Sequence, residues 1–577
     1  MMMCPMSADE NEFVGAATYQ DALERLNGEA SEKQQEHSPA AAAGAKGKIR
    51  TRTTALPPSK GEKPVIELGP RDSPCLGEVV AAAMQHLASN GTNIFQRGGA
   101  LMRPVVEPGF DARGRPVKVS SLIDMDEAIL KMVLMRDLRW AQKTKDGDGV
   151  RYVNPGYEVP RLILKARGAW PFPAVSGLIN APTLRSDGSL LQQEGYDAAT
   201  GLLLLNAPSV VINPKPTRAD AEAALQTLKG LLVEAPFESD ASRAVALSLI
   251  FSTMLCGALD ASPLHLLVSP TAGTGKSFIV DIASLIATGR RCAVVAATRS
   301  DEELEKRIGA AMLSGRPLIS LDNLNGLLAS NLLCQAVSQL VVSFRPLGVS
   351  EEIEVTMRSV FAATGNNLAI ADDLGRRTIL ASLDARVERP WERKFKQDPL
   401  EMIASDRARY ISAALTIPLA YLAEGMPNLP SDLNGFSQWS RLVRAALMWL
   451  GEADPLETMR VVREGDPKLQ QSTSMLFAIR EAFGDRAHTA AEMVGLVDEK
   501  EGCKGLKEFL AAPSEAGPKQ KALREAMAGV CKDGKISATS LSYWLRARNG
   551  QIISGLRLRG EADRTRLTHW RVVDDPS

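Results

Sequence analysis

The chain has 577 residues, 45% of them hydrophobic and 24% charged, which is ordinary for globular protein and long enough for about three or four domains. Lysine plus arginine and aspartate plus glutamate balance at 68 each, so total charge points to no nucleic-acid partner and only local asymmetry can. Seven scattered cysteines without C-x-x-C spacing, and five histidines that do not cluster with them, exclude a zinc or disulfide framework, and no apolar run approaches the roughly 20 residues of a membrane span. With no basic-then-apolar leader after Met1, the expected location is cytoplasmic, with no membrane partner.

Residues 1–60 read as a disordered tail, with a short helix near Tyr19 to Leu26. Residues 61–215 mix short strands and helices in an α+β accessory domain. Phe95 to Met102 reads as two strand pieces around Gly98 and Gly99, Asp126 to Trp140 as a helix, and Leu184 to Leu191 as a hairpin turning at Asp187 and Gly188. Asp124 and Asp126 have the acid-x-acid spacing of a primase metal site, yet acids opening a helix are expected from capping alone, so primase chemistry is not expected. After a linker at Asn213 to Pro216, an α/β core is expected over 216–388, a helical segment over 389–470 and a separate small domain over 471–577.

The strongest local signal lies between an apolar run at Leu264 to Val268 and a helical pattern at Phe278 to Ile286. Thr271, Ala272, Gly273, Thr274, Gly275, Lys276, Ser277 and Phe278 form a glycine-rich turn between strand and helix, the setting of a phosphate-binding loop. Glycines let backbone amides wrap an anion, Lys276 reaches the β- and γ-phosphates, and Ser277 holds Mg²⁺. The expected cofactors are therefore ATP and Mg²⁺. Pro270 stands where such loops usually open with glycine.

An apolar run from Pro317 ends at Asp322, the acid expected to complete the Mg²⁺ site with Ser277. A second, from Val360, ends in Asn366 and Asn367, either of which can orient an attacking water; the alternative is a turn that asparagine tolerates. Arg376 and Arg377 are candidates for an arginine that stabilises phosphoryl charge across a subunit boundary, or for a surface ion pair. Between these lies a hairpin pattern, Gln339 to Val355, turning near Gly348, whose Arg345 can meet a DNA phosphate chain.

The last hundred residues read as four helices and a hairpin, with a capping box at Thr489 and Glu492. Ser537 to Arg548 looks like the recognition helix of a winged helix-turn-helix, with wing strands at Gln551–Arg559 and His569–Val573. From 541 to 573 there are seven arginines (Arg546, Arg548, Arg557, Arg559, Arg564, Arg566, Arg571) against Glu561 and Asp563, a local basic footprint for DNA. Arg546, Arg548, Arg557 and Arg559 are the expected contacts.

Thr274–Ser277, Leu321–Asn323, Thr364–Asn367 and Asp373–Arg377, in this order and spacing, resemble the AAA+/superfamily 3 helicase-type ATPases of phages, plasmids and integrated elements, the poxvirus-type primase-helicases. Phe95–Gly99, Pro182–Gly188, Gly195–Asp197 and Pro390–Phe395 extend the similarity over about 90 to 470. The resemblance implies a three-layer P-loop core with a parallel sheet, and a ring, usually a hexamer, that hydrolyses ATP and moves on single-stranded DNA. It makes Asp322 the Walker B acid, Asn366 the sensor, and Arg376 or Arg377 the finger. Asn323 replaces the usual second acid, leaving Glu302, Glu303 and Glu305 as candidate bases, or a slow, switch-like ATPase that assembles on DNA without acting as a motor.

Overall fold

Five apolar runs between Leu264 and Ser382 are too short for helices and are rich in branched and small residues. In the computed structural model they form one parallel sheet. The structure describes residues 63–68, 76–110, 116–144, 149–298, 300–347, 350–497, 513–531, 535–564 and 566–575. The expected tail at 1–60 and the hairpin tip at Gly348 lie outside them. The sheet order is Val294–Ala296, Leu318–Leu328, Val360–Ile370, Leu264–Ser269, Thr378–Ser382. The strand that feeds the glycine-rich loop is thus flanked by strands on both sides, and the strands carrying Asp322 and Asn366 are neighbours.

A parallel sheet is stable only when both faces are covered, and the alternation along these strands supplies two cores. Leu266, Ile319, Leu321, Phe361, Ala363 and Leu380 pack to one side with the helices Asp301–Leu313 and Asn331–Ser338. Leu267, Leu318, Val360, Ala362, Ile379 and Ala381 pack to the other with Asp240–Met254 and Lys276–Thr288. The buried His265 lies 3.0 Å from Ser248 Oγ of the Asp240–Met254 helix, and burial drives its pKa down to about 3, so it is a neutral packing group.

The strands bearing Asp322 and Asn366 run on past the polar residues at which they were expected to end. The register between them shifts from Leu321↔Ala363 to Leu324↔Gly365, so two residues, Asp322 and Asn323, face one. This bulge keeps the ladder going while re-aiming Asp322. Gly365 is required opposite it, because a Cβ there would stand 2.6 Å from the Leu324 carbonyl oxygen.

Upstream, Phe95–Arg97 pairs with Ala100–Phe110 around Gly98 and Gly99, and Thr183–Leu184 pairs with Leu190–Leu191, as the turn residues predict. The expected helix over Asp126 to Trp140 is shorter: it spans Glu127–Asp137, and Trp140 belongs to the strand Arg139–Lys143, its indole N–H donating to the Leu134 carbonyl at 2.9 Å. Asp126 caps that helix, its carboxylate accepting the Ile129 N–H at 2.7 Å, which accounts for the acid without a metal.

Two arginines, the buried Arg97 and the half-buried Arg407, tie upstream segments to the sheet layer. The Arg97 guanidinium donates to the carbonyls of Met312 (2.7 Å), Leu313 (3.0 Å), Val175 (3.1 Å), Ser176 (2.6 Å) and Thr356 (3.1 Å). Arg407 donates to Ile286 (2.9 Å), Ala287 (2.8 Å) and Asn180 (2.8 Å). None of these partners is a carboxylate. Each arginine meets the C-terminal carbonyls of a helix that flanks the sheet, where the helix dipole favours a cation. Burial pulls both pKa values down to about 10, which leaves both charged at neutral pH.

The C-terminal segment has its own core of Met475, Ile479, Met493, Leu523, Leu541, Leu558 and Trp570. Its first helix, Pro467–Phe483, begins earlier than the Met475 start expected. The capping box forms: the Thr489 N–H reaches Glu492 at 2.8 Å, and the Glu492 N–H reaches Thr489 Oγ1 at 3.2 Å. Helix Ala538–Ala547 precedes an antiparallel hairpin, Leu556–Ala562 with Thr568–Asp574. No helix among the described residues is long and apolar enough to cross a membrane.

Candidate functional site

The glycine-rich loop leaves the C-terminal edge of the sheet after Ser269, the edge at which open parallel sheets present ligand sites. Gly273 and Gly275 have φ of +80° and +99°, conformations that side chains with a Cβ resist. Helix Lys276–Thr288 starts directly at Gly275, so its free N-terminal amides close the loop.

Lys276 is buried, and its ammonium donates to Ser269 Oγ (2.5 Å), Asn366 Oδ1 (2.7 Å), the Thr271 carbonyl (3.3 Å) and Thr274 Oγ1 (3.4 Å). Burial lowers its pKa, and the charge of Asp322 opposes that. Ser277 Oγ donates to Asp322 Oδ1 at 2.7 Å, and Thr364 Oγ1 donates to the same oxygen at 2.6 Å. Lysine, serine hydroxyl, carboxylate and amide from two strands and one helix therefore meet within hydrogen-bonding reach. Ser277 and Asp322 offer the hard oxygen donors that Mg²⁺ prefers, beside a cationic, amide-rich cradle suited to phosphates. Ala272, Gly273 and Phe278 are exposed along the same loop.

Asn366 and Asn367 separate cleanly. Asn366 touches Lys276, whereas Asn367 has φ +48° and serves the backbone. Asn323, the exposed residue after Asp322, also has a positive φ, +56°, and its N–H donates to Thr364 Oγ1 at 3.0 Å. Asparagine is among the few non-glycine residues that visit this conformation routinely. Asn323→Gly is accordingly expected to unfold in urea at the wild-type midpoint, and Asn323→Val to lose about 1–2 kcal/mol. Equal stability of both variants would show that the bulge imposes no such conformation.

The three acids considered as replacement bases are already engaged. Glu302 pairs with Lys306 at 2.7 Å, Glu303 with Arg307 at 3.0 Å, and Glu305 accepts from Ser330 Oγ at 3.0 Å at the start of the next helix.

Arg376 and Arg377 do not reach their own Lys276. Both bind Asp373 on the 3-10 turn Asp372–Arg377, which leads into Thr378. Thr378 is in register with Leu264, the first residue of the strand whose last residue, Ser269, opens the loop. Five residues of strand separate Thr378, where the turn ends, from the level at which the loop leaves the sheet, a span of about 17 Å. The Arg376 side chain is 68% exposed and that of Arg377 20%.

The basic residues expected on DNA divide into two groups. Arg546 and Arg559 are exposed. Arg548 lies 4.3 Å over the Trp544 ring and donates to Ser472 Oγ at 3.1 Å, and Arg557 pairs with Asp575, an acid just beyond the stretch in which the basic excess is counted. Arg559 stands directly opposite Arg571 across the hairpin, a like-charge pair that Glu561 relieves with a 2.6 Å bridge to Arg571. Arg345 is exposed at the end of strand Val341–Phe344, which pairs with Ile353–Thr356 as the hairpin pattern predicts.

Sequence reasoning missed Ser269 and Thr364, which hold Lys276 and Asp322 in place. A lone serine or threonine in an apolar run carries no signal except its position at the same strand ends.

No protein-family model matches the chain, and no curated protein matches it. Among solved structures, the apo A form of the NrS-1 C-terminal region aligns with 12% identity and a TM-score of 0.35, over 85% of this chain and 98% of that one. JCV helicase aligns with 14% identity and a TM-score of 0.20, over 43% of this chain and 74% of that one. TM-scores of this size decide nothing about this chain's activity.

Proposed function

We propose that the chain is an ATP-dependent DNA helicase or translocase that acts in replication of a phage or other mobile element, in the host cytoplasm, as a homo-oligomeric ring, with six protomers the expected number. The observation that carries this reading is the convergence of Lys276, Ser277, Asp322 and Asn366 at one sheet edge. Lys276 and the loop amides bind the phosphates of ATP, Ser277 and Asp322 hold Mg²⁺, and Asn366 orients the attacking water. Arg376 is the group presented to a neighbouring protomer. A core spanning 216–388 does this chemistry. The accessory domain at 61–215 and the helical segment at 389–470 brace it, and the segment at 471–577 engages DNA as a winged helix through Arg546 and Arg559.

The test is ATP turnover with and without single-stranded DNA, alongside strand displacement. Wild-type turnover is expected to rise with DNA, and Lys276→Ala to fall to background; turnover that survives in Lys276→Ala sinks the proposal.

A second reading has its own observation. Asn323 supplies no carboxylate, and Glu302, Glu303 and Glu305 are bound elsewhere. An ATP-switched initiator that assembles on DNA with little hydrolysis fits that set. It requires ATP-dependent assembly and DNA binding without strand displacement.

A further inference from the structure

We propose that Trp391 is the stacking platform for the base of the nucleotide held by the loop; this rests on the nucleotide-binding reading of that loop. Trp391 sits on the short turn Pro390–Glu392, in the strap between the Thr378–Ser382 strand and the helix Pro399–Ser405. The strap lies directly on the loop: a Cβ at Gly273 would stand 3.2 Å from both Cβ and Cε3 of Trp391 and 3.3 Å from its backbone nitrogen. Yet Trp391 remains 62% exposed, so only its near edge meets the loop and most of the indole is open beside Ala272 and Gly273.

The position is held from outside the indole. The Glu234 carboxylate accepts the Lys396 N–H at 3.0 and 3.1 Å and the Gln397 N–H at 3.2 Å. Arg393 donates to the Glu234 carbonyl at 2.7 Å and lies 5.0 Å over the Phe395 ring. These contacts tether the strap just after Trp391, so a large flat surface stands at the loop without being buried. Lys276 and the loop amides recognise phosphate alone, and any polyphosphate satisfies them. An indole fixed beside them adds the contact that phosphate lacks, because every nucleobase has a π-face to stack. The ligand class is a nucleoside triphosphate, with stacking itself indifferent to which base it carries.

Binding of ATP and of inorganic tripolyphosphate, each with Mg²⁺, separates the two claims. In the wild type ATP is expected to bind the tighter. Trp391→Ala is expected to weaken ATP about 5- to 150-fold and leave tripolyphosphate unchanged, with Trp391→Phe keeping most of the ATP affinity. Lys276→Ala is expected to weaken both ligands. Tripolyphosphate binding that is indifferent to Lys276→Ala overturns the reading of the loop. If Lys276→Ala behaves as expected while Trp391→Ala weakens both ligands equally, or neither, or if Phe278→Ala carries the selective ATP loss instead, the stacking role is overturned and the loop reading stands.

Discussion

Protomers carrying Arg376→Ala and protomers carrying Lys276→Ala are each expected to lose ATP turnover alone and to regain it when mixed. The argument is one of sheet register. The turn bearing Arg376 ends at Thr378, level with Leu264, while the loop leaves the sheet after Ser269, and Arg376 is held by Asp373 rather than by its own loop. A head-to-tail ring brings the leading edge of one protomer to the trailing edge of the next. Loss of an arginine that stabilises the phosphoryl group lowers turnover by about 10³–10⁵-fold while nucleotide binding survives. In an equal mixture, about a quarter of the interfaces combine an intact loop with an intact arginine, which sets the expected recovery. Arg377→Ala is the contrasting variant, since that side chain is mostly enclosed against Asp373 and its loss falls on the fold. Co-assembled variants that recover nothing would remove Arg376 from the site.

The parts of this site that were legible in the sequence share a property: each is announced by its immediate neighbours. Gly273, Gly275, Lys276 and Ser277 lie in one turn, and Asp322 and Asn366 each follow an apolar run of strand length. What was not legible depends on contacts between distant segments. Asp322 was expected to end its strand, because a bulge that re-aims a side chain leaves no mark on an apolar pattern; only Gly365 and Asn323 hint at it, and each has several readings. The residues alone offered two adjacent amides, and only the resemblance singled out Asn366; backbone φ assigns Asn367 to conformation and leaves Asn366 to Lys276. Trp391 lies more than a hundred residues beyond the loop that it touches, and Arg97 more than two hundred before the helix end that it caps. Both lie in stretches that carry the resemblance, yet neither stretch says what its arginine or tryptophan touches.

Arg97→Met is expected to be among the most destabilising single substitutions available in the described residues. The guanidinium satisfies five carbonyls drawn from the accessory segment, the end of helix Asp301–Leu313 and the hairpin strand Ile353–Thr356. Methionine has similar length and no donor. Each buried acceptor left unpaired costs about 1–3 kcal/mol, less what water or neighbouring amides recover, so a total loss on the order of 3–5 kcal/mol is expected. Arg97→Lys is expected to recover only part of it, because one ammonium has three donors on a single atom and cannot span carbonyls arranged around a planar fork. Arg136→Met provides the surface comparison: its partner Asp137 is adjacent, its side chain is 65% exposed, and its loss is expected to stay within about 0.5 kcal/mol. Urea midpoints of the three variants, read by far-ultraviolet circular dichroism, give the comparison. The Arg97→Met loss bears on turnover as well as on folding, because the helix that Arg97 caps leads directly into the strand carrying Asp322. If Arg97→Met unfolds at the wild-type midpoint, water has replaced the guanidinium and the two segments are held together by their apolar contacts alone.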